Sequence, residues 1–330
     1  MSLFAAELLR LFSRRVTLVV TMLIAGLLAF LTFGFSLSSS RPTDAEEAEA
    51  ARRATVAAEL WDAEVRNCLD VQSGLAEPSP GQNLPPGCDY GPRPTADAML
   101  DYGFSFRRQW PELFYTAAIV LTMAGFVIGS SFVGAEWSSG GMVNLLLWRP
   151  RRAAVLGAKL AAALAGMLAL SVAYLVLWSG AFLAVAATSG VVGQLTAAEM
   201  SSLLLTGVRV VALALAGTAF GFAIASIGQR TATAAGVGIA YLLLYELGGI
   251  MIFGLAGTDY SERFRLSTYV IAWLTTEYTF SDTNYTCDAL GCVSVPAWTA
   301  GWVHGGLVLG AVLALIVGAA FLSMRRRDIA

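Results

Sequence analysis

The 330-residue chain contains one lysine, Lys159, and one histidine, His304. Each scarcity closes a class of chemistry. A single histidine cannot build a His-rich metal centre. The lysine is followed by Leu160, whereas a P-loop needs Ser or Thr after its lysine to hold phosphate and Mg²⁺. ATP hydrolysis by a P-loop is therefore excluded. No G-x-S-x-G or H-E-x-x-H motif occurs, and no clustered set of acids and bases suggests a membrane enzyme. Charge itself is scarce: 13% of residues, against roughly 25% in an average soluble domain. What remains is apolar, 57% of the chain, with a mean hydropathy of +0.67. Lipid is the solvent that fits this composition.

A helix crosses the hydrocarbon with about 20 apolar residues, and six stretches qualify: 16–37, 112–133, 153–187, 203–227, 231–256 and 303–323. Helices follow because backbone groups in lipid must be satisfied within the segment. The expected fold is an all-α polytopic membrane protein with six transmembrane helices. Gly217 and Gly221, spaced as GxxxG, read as a close helix-packing site. The first span follows Arg10, Arg14 and Arg15 but is too long for a typical signal-peptide core, so it reads as an uncleaved anchor.

Six spans place both termini on one side. That side, with Lys159 included, carries eleven basic and three acidic residues, whereas the opposite segments carry nine basic and eighteen acidic. Positive charge favours the cytoplasm, so both termini, the 134–152 hairpin and the 324–330 tail are expected there. Segments 38–111 and 257–302 are then extracellular. All four cysteines, Cys68, Cys88, Cys287 and Cys292, lie in those outer segments, where disulfides persist. Of three possible pairings, Cys68–Cys88 with Cys287–Cys292 closes each loop within one segment; a zinc site is the rival, and no histidine lies near. In the first outer segment residues 44–70 read as a helix, 74–94 as a Pro- and Gly-rich loop, and 97–109 as a second short helix.

The remaining polar stretch is GAEWSSGGMVNLLLWRPRRAAVLGAKL, residues 134–160. Gly140 and Gly141 loosen the backbone where the second span ends. A short helix follows, with Met142, Leu145 and Leu146 along one side and Trp148 as interfacial anchor. Pro150 disfavours helix at Arg149 and ends it. Arg149, Arg151 and Arg152 sit in water or among headgroups, and Lys159 snorkels back to them. Orientation alone would explain the arginines. It would not explain Glu136, two glycines and a proline-closed helix.

The pattern Glu136, Gly140, 145–147, Pro150, Arg152 and Lys159 resembles the signature of ABC-2-type transporter permeases. In the form Glu136-Trp137, Met142, Trp148, Pro150-Arg151-Arg152 and Ala158-Lys159-Leu160 it is similar to permeases of high-GC actinobacteria. The amphipathic segment 3–14 resembles the family's elbow helix (residues 1–15), and Arg325-Arg326-Arg327-Asp328-Ile329 its terminus. Gly141 departs from the usual Thr or Ser, and Arg149 from a frequent acid. The resemblance implies the membrane half of an ABC transporter in a bacterial plasma membrane, not catalytic by itself. A separate ABC ATPase in two copies would bind ATP and Mg²⁺, and a second permease chain, a homodimer rather than a heterodimer, would complete the pathway. The hairpin would be the coupling element, using Glu136, Gly140, Gly141, Met142, Leu145, Leu146, Trp148, Arg149, Pro150, Arg151, Arg152 and Lys159. No nucleic acid, metal or cofactor is expected on this chain.

Charge inside the spans is a functional candidate by default. Glu246 and Arg209 lie roughly 15 and 9 Å inside the outer ends of their helices at 1.5 Å per residue, so the two side chains are within reach of each other; a buried pair, or snorkelling alone, that fixes helix packing is expected, with substrate contact as the alternative. Two functions stand: ATP-driven export of a hydrophobic or amphipathic compound, or a non-transporting component that passes ATPase motion to its outer segment.

Overall fold

The computed structural model describes residues 3–39, 43–76, 85–99, 104–148, 151–193, 195–256, 261–280, 285–288, 291–294 and 298–326. Helix α1 (Leu3–Phe12) leads into α2 (Arg15–Ser38), followed by α3 (Asp44–Gln72), α4 (Ala96–Met99), α5 (Phe106–Ser138), α6 (Gly141–Trp148), α7 (Arg152–Ser189) and α8 (Ala197–Gly228). Then come α9 (Thr231–Ala240), a π-helical stretch (Tyr241–Leu247), α10 (Gly248–Leu255), α11 (Leu266–Thr275), strands β1 (Glu277–Phe280), β2 (Tyr285–Asp288), β3 (Gly291–Ser294) and β4 (Trp298–Gly301), and α12 (Trp302–Arg326). Among the described residues six helical stretches are long and apolar enough to cross a membrane: α2, α5, α7, α8, Thr231–Phe253 and α12. The chain is an all-α polytopic membrane protein.

Two compact units divide it: Met1–Phe30 with Gln109–Gly180 and Leu195–Ala330, and Leu31–Arg108 with Ala181–Gln194. In the first, 67% of the apolar window of α5 and of α8 is buried, against 11% for α2, 6% for Thr231–Phe253 and 11% for α12. The pair α5 and α8 is central because small residues let the two backbones touch. A Cβ on Gly217 would stand 2.6 Å from the Thr122 carbonyl, one on Gly221 would strike that of Phe126, and Gly125 and Gly129 meet Ala214 and Thr218 in return. The GxxxG thus faces a helix of its own chain, as close packing requires. Helix α8 begins with a capping box in which Thr196 and Glu199 exchange hydrogen bonds of 2.7 and 3.2 Å.

Segment 257–302 is more than a loop. It contains α11, ten residues and so about 15 Å long, half of what a span needs. Gly305 of α12 lets the Tyr269 carbonyl of α11 approach, where a Cβ would stand 2.7 Å away. Antiparallel pairing of β1 with β4 and of β2 with β3 completes the segment, and the second register sets Cys287 opposite Cys292. Outside the first unit's spans, the Tyr278 phenol donates to Glu262 at 2.8 Å, and burial pushes its pKa up.

The second unit is built on α3, the helix expected over 44–70. Thr43 and Glu46 form its capping box, which holds the Glu46 carboxyl below its ordinary range. The Cys68–Cys88 disulfide closes it, and Arg93 clamps Asp62 with bonds of 3.1 and 2.7 Å. That guanidinium lowers the Asp62 pKa. The second short helix expected over 97–109 is not one element: Ala96–Met99 makes a single turn, while Phe106 onward already belongs to α5. The reason is local. Phe106 N–H donates to Val191 at 3.0 Å and Val191 N–H to Phe104 at 3.1 Å, so a short backbone bridge fixes where α5 begins.

Candidate functional site

Lys159 is fully buried and does not snorkel to the arginines of the hairpin. Its Nζ lies 2.7 Å from Glu7 Oε2 of α1 and 2.6 Å from Glu136 Oε2 of α5. Arg14, in the turn between α1 and α2, reaches Glu136 Oε1 at 2.6 Å and donates to the Ser131 carbonyl at 3.2 Å. Arg10 stands at the rim, 56% exposed, 3.5 Å from Glu7 and 3.6 Å from Glu136. The Phe132 ring lies under both inner cations, 4.8 Å from Arg14 and 5.4 Å from Lys159. Two buried carboxylates are thus matched by Lys159 and Arg14, the condition under which charge tolerates burial. Packing reinforces the charges: Leu11 of α1 is buried and fills the space a Cβ on Gly166 of α7 would occupy. One cluster ties α1, the start of α2, the end of α5 and the start of α7.

Helix α6 lies next to it in sequence. Gly140 takes φ +73°, a left-handed turn that L side chains rarely adopt and glycine does at no cost. It lets α6 begin with only Ser139 and Gly140 between it and α5. Met142 and Leu146, spaced i and i+4, are buried, and Leu145 is half-buried. Gly141, Asn144 and Leu147 make the outward face, with Leu147 76% exposed, and Arg151 is exposed beyond it. Arg152 opens α7 and is half-buried. Arg149, Pro150, Arg327, Asp328 and the side chain of Trp148 lie outside the described residues. The expected coupling set therefore divides: Glu136, Met142, Leu146 and Lys159 point inward, while Gly140, Gly141 and Arg151 are exposed. Sequence reasoning did not bring Glu7 or Arg14 to Glu136 and Lys159, and it did not single out the exposed Asn144. Glu7 carried a signal, being the sole acid in the basic segment 1–15.

Glu246 and Arg209 do not meet. The Glu246 carboxylate accepts from the Tyr241 hydroxyl, from Ser267 Oγ at 2.7 Å and from Ser267 N–H at 3.2 Å. Ser267 is in the first turn of α11, where backbone N–H groups lack helical partners, so Glu246 caps that helix from another one. The wide π-helical turn supports this aim, with Tyr241 and Tyr245 stacked at 5.4 Å and the Tyr245 hydroxyl bonded to the Phe264 carbonyl. Arg209 stands by the other end of α11. Its carbonyl accepts from the Trp273 indole at 3.1 Å, and its guanidinium lies 5.2 Å from the Trp302 ring centroid. The expected pair fails because α11, placed as loop in the sequence reading, takes a contact from each.

Residues 1–262 match the ABC-2 family transporter protein. The chain belongs to the ABC-2 transporter family. No curated protein and no solved structure matches it. An ABC-2 permease is the transport membrane component of an ABC transporter and is not catalytic by itself. The matched region contains the whole Glu7–Arg14–Glu136–Lys159 cluster, helix α6 and the six-residue interval from Tyr241 to Glu246. Among the described residues no group of His, Cys, Asp and Glu could hold a metal ion.

Proposed function

We propose that this permease, paired with a second copy of itself in a bacterial plasma membrane, forms the pathway for ATP-driven export of a hydrophobic or amphipathic compound. Two copies of a separate ABC ATPase bind the cytoplasmic face, which carries both termini, and dock on the 134–152 hairpin. The outward face of α6, with Asn144, Leu147 and Arg151, makes the contact. Glu136 and Lys159 act beneath it as positioning residues. The ion cluster carries this reading: a push on α6 enters α5 and α7, and through Glu7 and Arg14 it engages α1 and α2 as well.

The test is purification of the tagged chain with its ATPase, followed by Leu147→Glu. A buried-groove contact predicts loss of ATPase co-purification and of transport with the permease still folded. Retention of both would overturn the docking assignment. A second reading has one observation behind it, the disulfide-closed, helix-built unit Leu31–Arg108 with Ala181–Gln194. In that reading the ATPase moves this unit and nothing crosses the membrane. ATP turnover without accumulation of any candidate compound in vesicles selects it.

A further inference from the structure

Arg14 and Arg209 are two buried or nearly buried arginines with opposite surroundings. Arg14 has a carboxylate at 2.6 Å and a carbonyl at 3.2 Å. Arg209, 4% exposed, has neither: among the described residues no carboxylate lies within ion-pair distance, and none of its side-chain N–H groups has an acceptor. Of the acids in the spans, Glu246 is occupied by Tyr241 and Ser267 and Glu112 is exposed, while the Tyr115 phenol of α5 is the titratable group whose field reaches the guanidinium. The Trp302 ring stands against the guanidinium and leaves its donors without a hydrogen bond, since a ring face attracts the cation without accepting from the fork. Trp273 stands edge-on to Trp302 with centroids 6.2 Å apart, holding that ring in place. Beside Arg209 on α8 the surface is apolar: Leu205 is 51% exposed and Val208 66%.

We propose that Arg209 is an anion-recognition residue that holds the phosphate, or an equivalent acid group, of a membrane-borne amphipath. The planar fork fits a phosphate or carboxylate through two parallel hydrogen bonds. Trp302 fixes the plane of the fork, and Leu205 and Val208 offer the apolar surface along which the ligand's chain lies. A buried charge in hydrocarbon without an anion is expensive, so the ligand supplies what the described residues do not. The site does not rest on the transport reading, because it is measured on the permease alone.

The test titrates dodecyl phosphate into the full-length chain in dodecyl maltoside and follows tryptophan emission, with dodecyltrimethylammonium as the cationic control. Saturable binding of the phosphate and not of the ammonium is expected. Arg209→Gln weakens it by about tenfold or more. Trp302→Phe removes the nearest reporter, so most of the emission change disappears while affinity, read by equilibrium dialysis, stays within about threefold. Displacement by short-chain phosphatidylglycerol assigns the ligand to lipid headgroups; persistence of dodecyl phosphate against it assigns a non-lipid acid amphipath. Equal affinity in Arg209→Gln, the full emission change in Trp302→Phe, or displacement by inorganic phosphate but by no amphipath overturns the proposal. If Arg209→Gln does not fold, Trp302→Phe decides alone. Failure of the ATPase to co-purify bears on the transport reading and leaves this result untouched.

Discussion

Replacing Lys159 with Met keeps most of the side-chain volume and removes only the charge and its donors. Two carboxylates then lose partners at 2.7 and 2.6 Å. Glu136 keeps Arg14 at 2.6 Å, but Glu7 keeps only Arg10, which stands 3.5 Å away and is 56% exposed. A rim contact of that kind contributes about 0–1 kcal/mol. Leaving a buried charge unpaired costs about 3–5 kcal/mol, so Lys159→Met should melt well below the wild type in detergent. Glu7→Gln removes the stranded charge. Added to Lys159→Met it should raise the melting temperature, and the double-mutant cycle should read a coupling of about 2 kcal/mol. The assay is thermal unfolding followed by size-exclusion chromatography on all four proteins. Additive losses, or a Lys159→Met protein that melts like the wild type yet no longer stimulates the ATPase, would show that Lys159 faces the partner and that the cluster reasoning is wrong.

Gly221→Ala places a methyl against the Phe126 carbonyl and should cost about 1–3 kcal/mol, read as a lower melting temperature; an unchanged melt would mean that α5 and α8 have room to separate. Cys68→Ser with Cys88→Ser opens a crosslink over 20 residues and should remove about 3 kcal/mol from the outer unit, measured as faster proteolysis of α3 under conditions where the intact chain resists. The Asp62 carboxyl is depressed by Arg93, so its contribution is present above the ordinary carboxylate pKa and fades as pH falls through the lowered one. The outer unit should therefore soften on strong acidification, and Asp62→Asn should flatten that dependence. Glu246→Gln weakens the cap on α11 and should lower yield and melting temperature by the equivalent of about 0.5–2 kcal/mol; normal yield with an altered choice of transported compound would instead place Glu246 in the pathway.

What could be read from the chain and what could not divides by the range of the physics involved. The six spans follow from runs of apolar residues, a local property, and six helices long and apolar enough to cross a membrane stand among the described residues; α5 and α8 each begin six residues before the stretch read from the sequence. The Cys68–Cys88 bond follows from two cysteines in one short segment. Gly140 and the short helix after it follow from local backbone preferences. Lys159 could not be placed this way, because its partner Glu7 is 152 residues distant and the pairing exists only once α1 lies on α7. Helix α11 escaped because a helix of ten residues is too short for a span and its cap, Glu246, comes from another helix. The direct pairing of Glu246 with Arg209 was the economical inference for two opposite charges at similar depth, and the intervening helix removed its basis. That outcome sharpens the meaning of scarce charge in an apolar chain. Where a buried ion has its counter-ion within the fold, as Lys159 and Arg14 do, its role is to hold helices together. Among the described residues Arg209 has a ring beside it and no anion, so the same energetic rule that makes Lys159 structural is the ground on which Arg209 is proposed as an anion site.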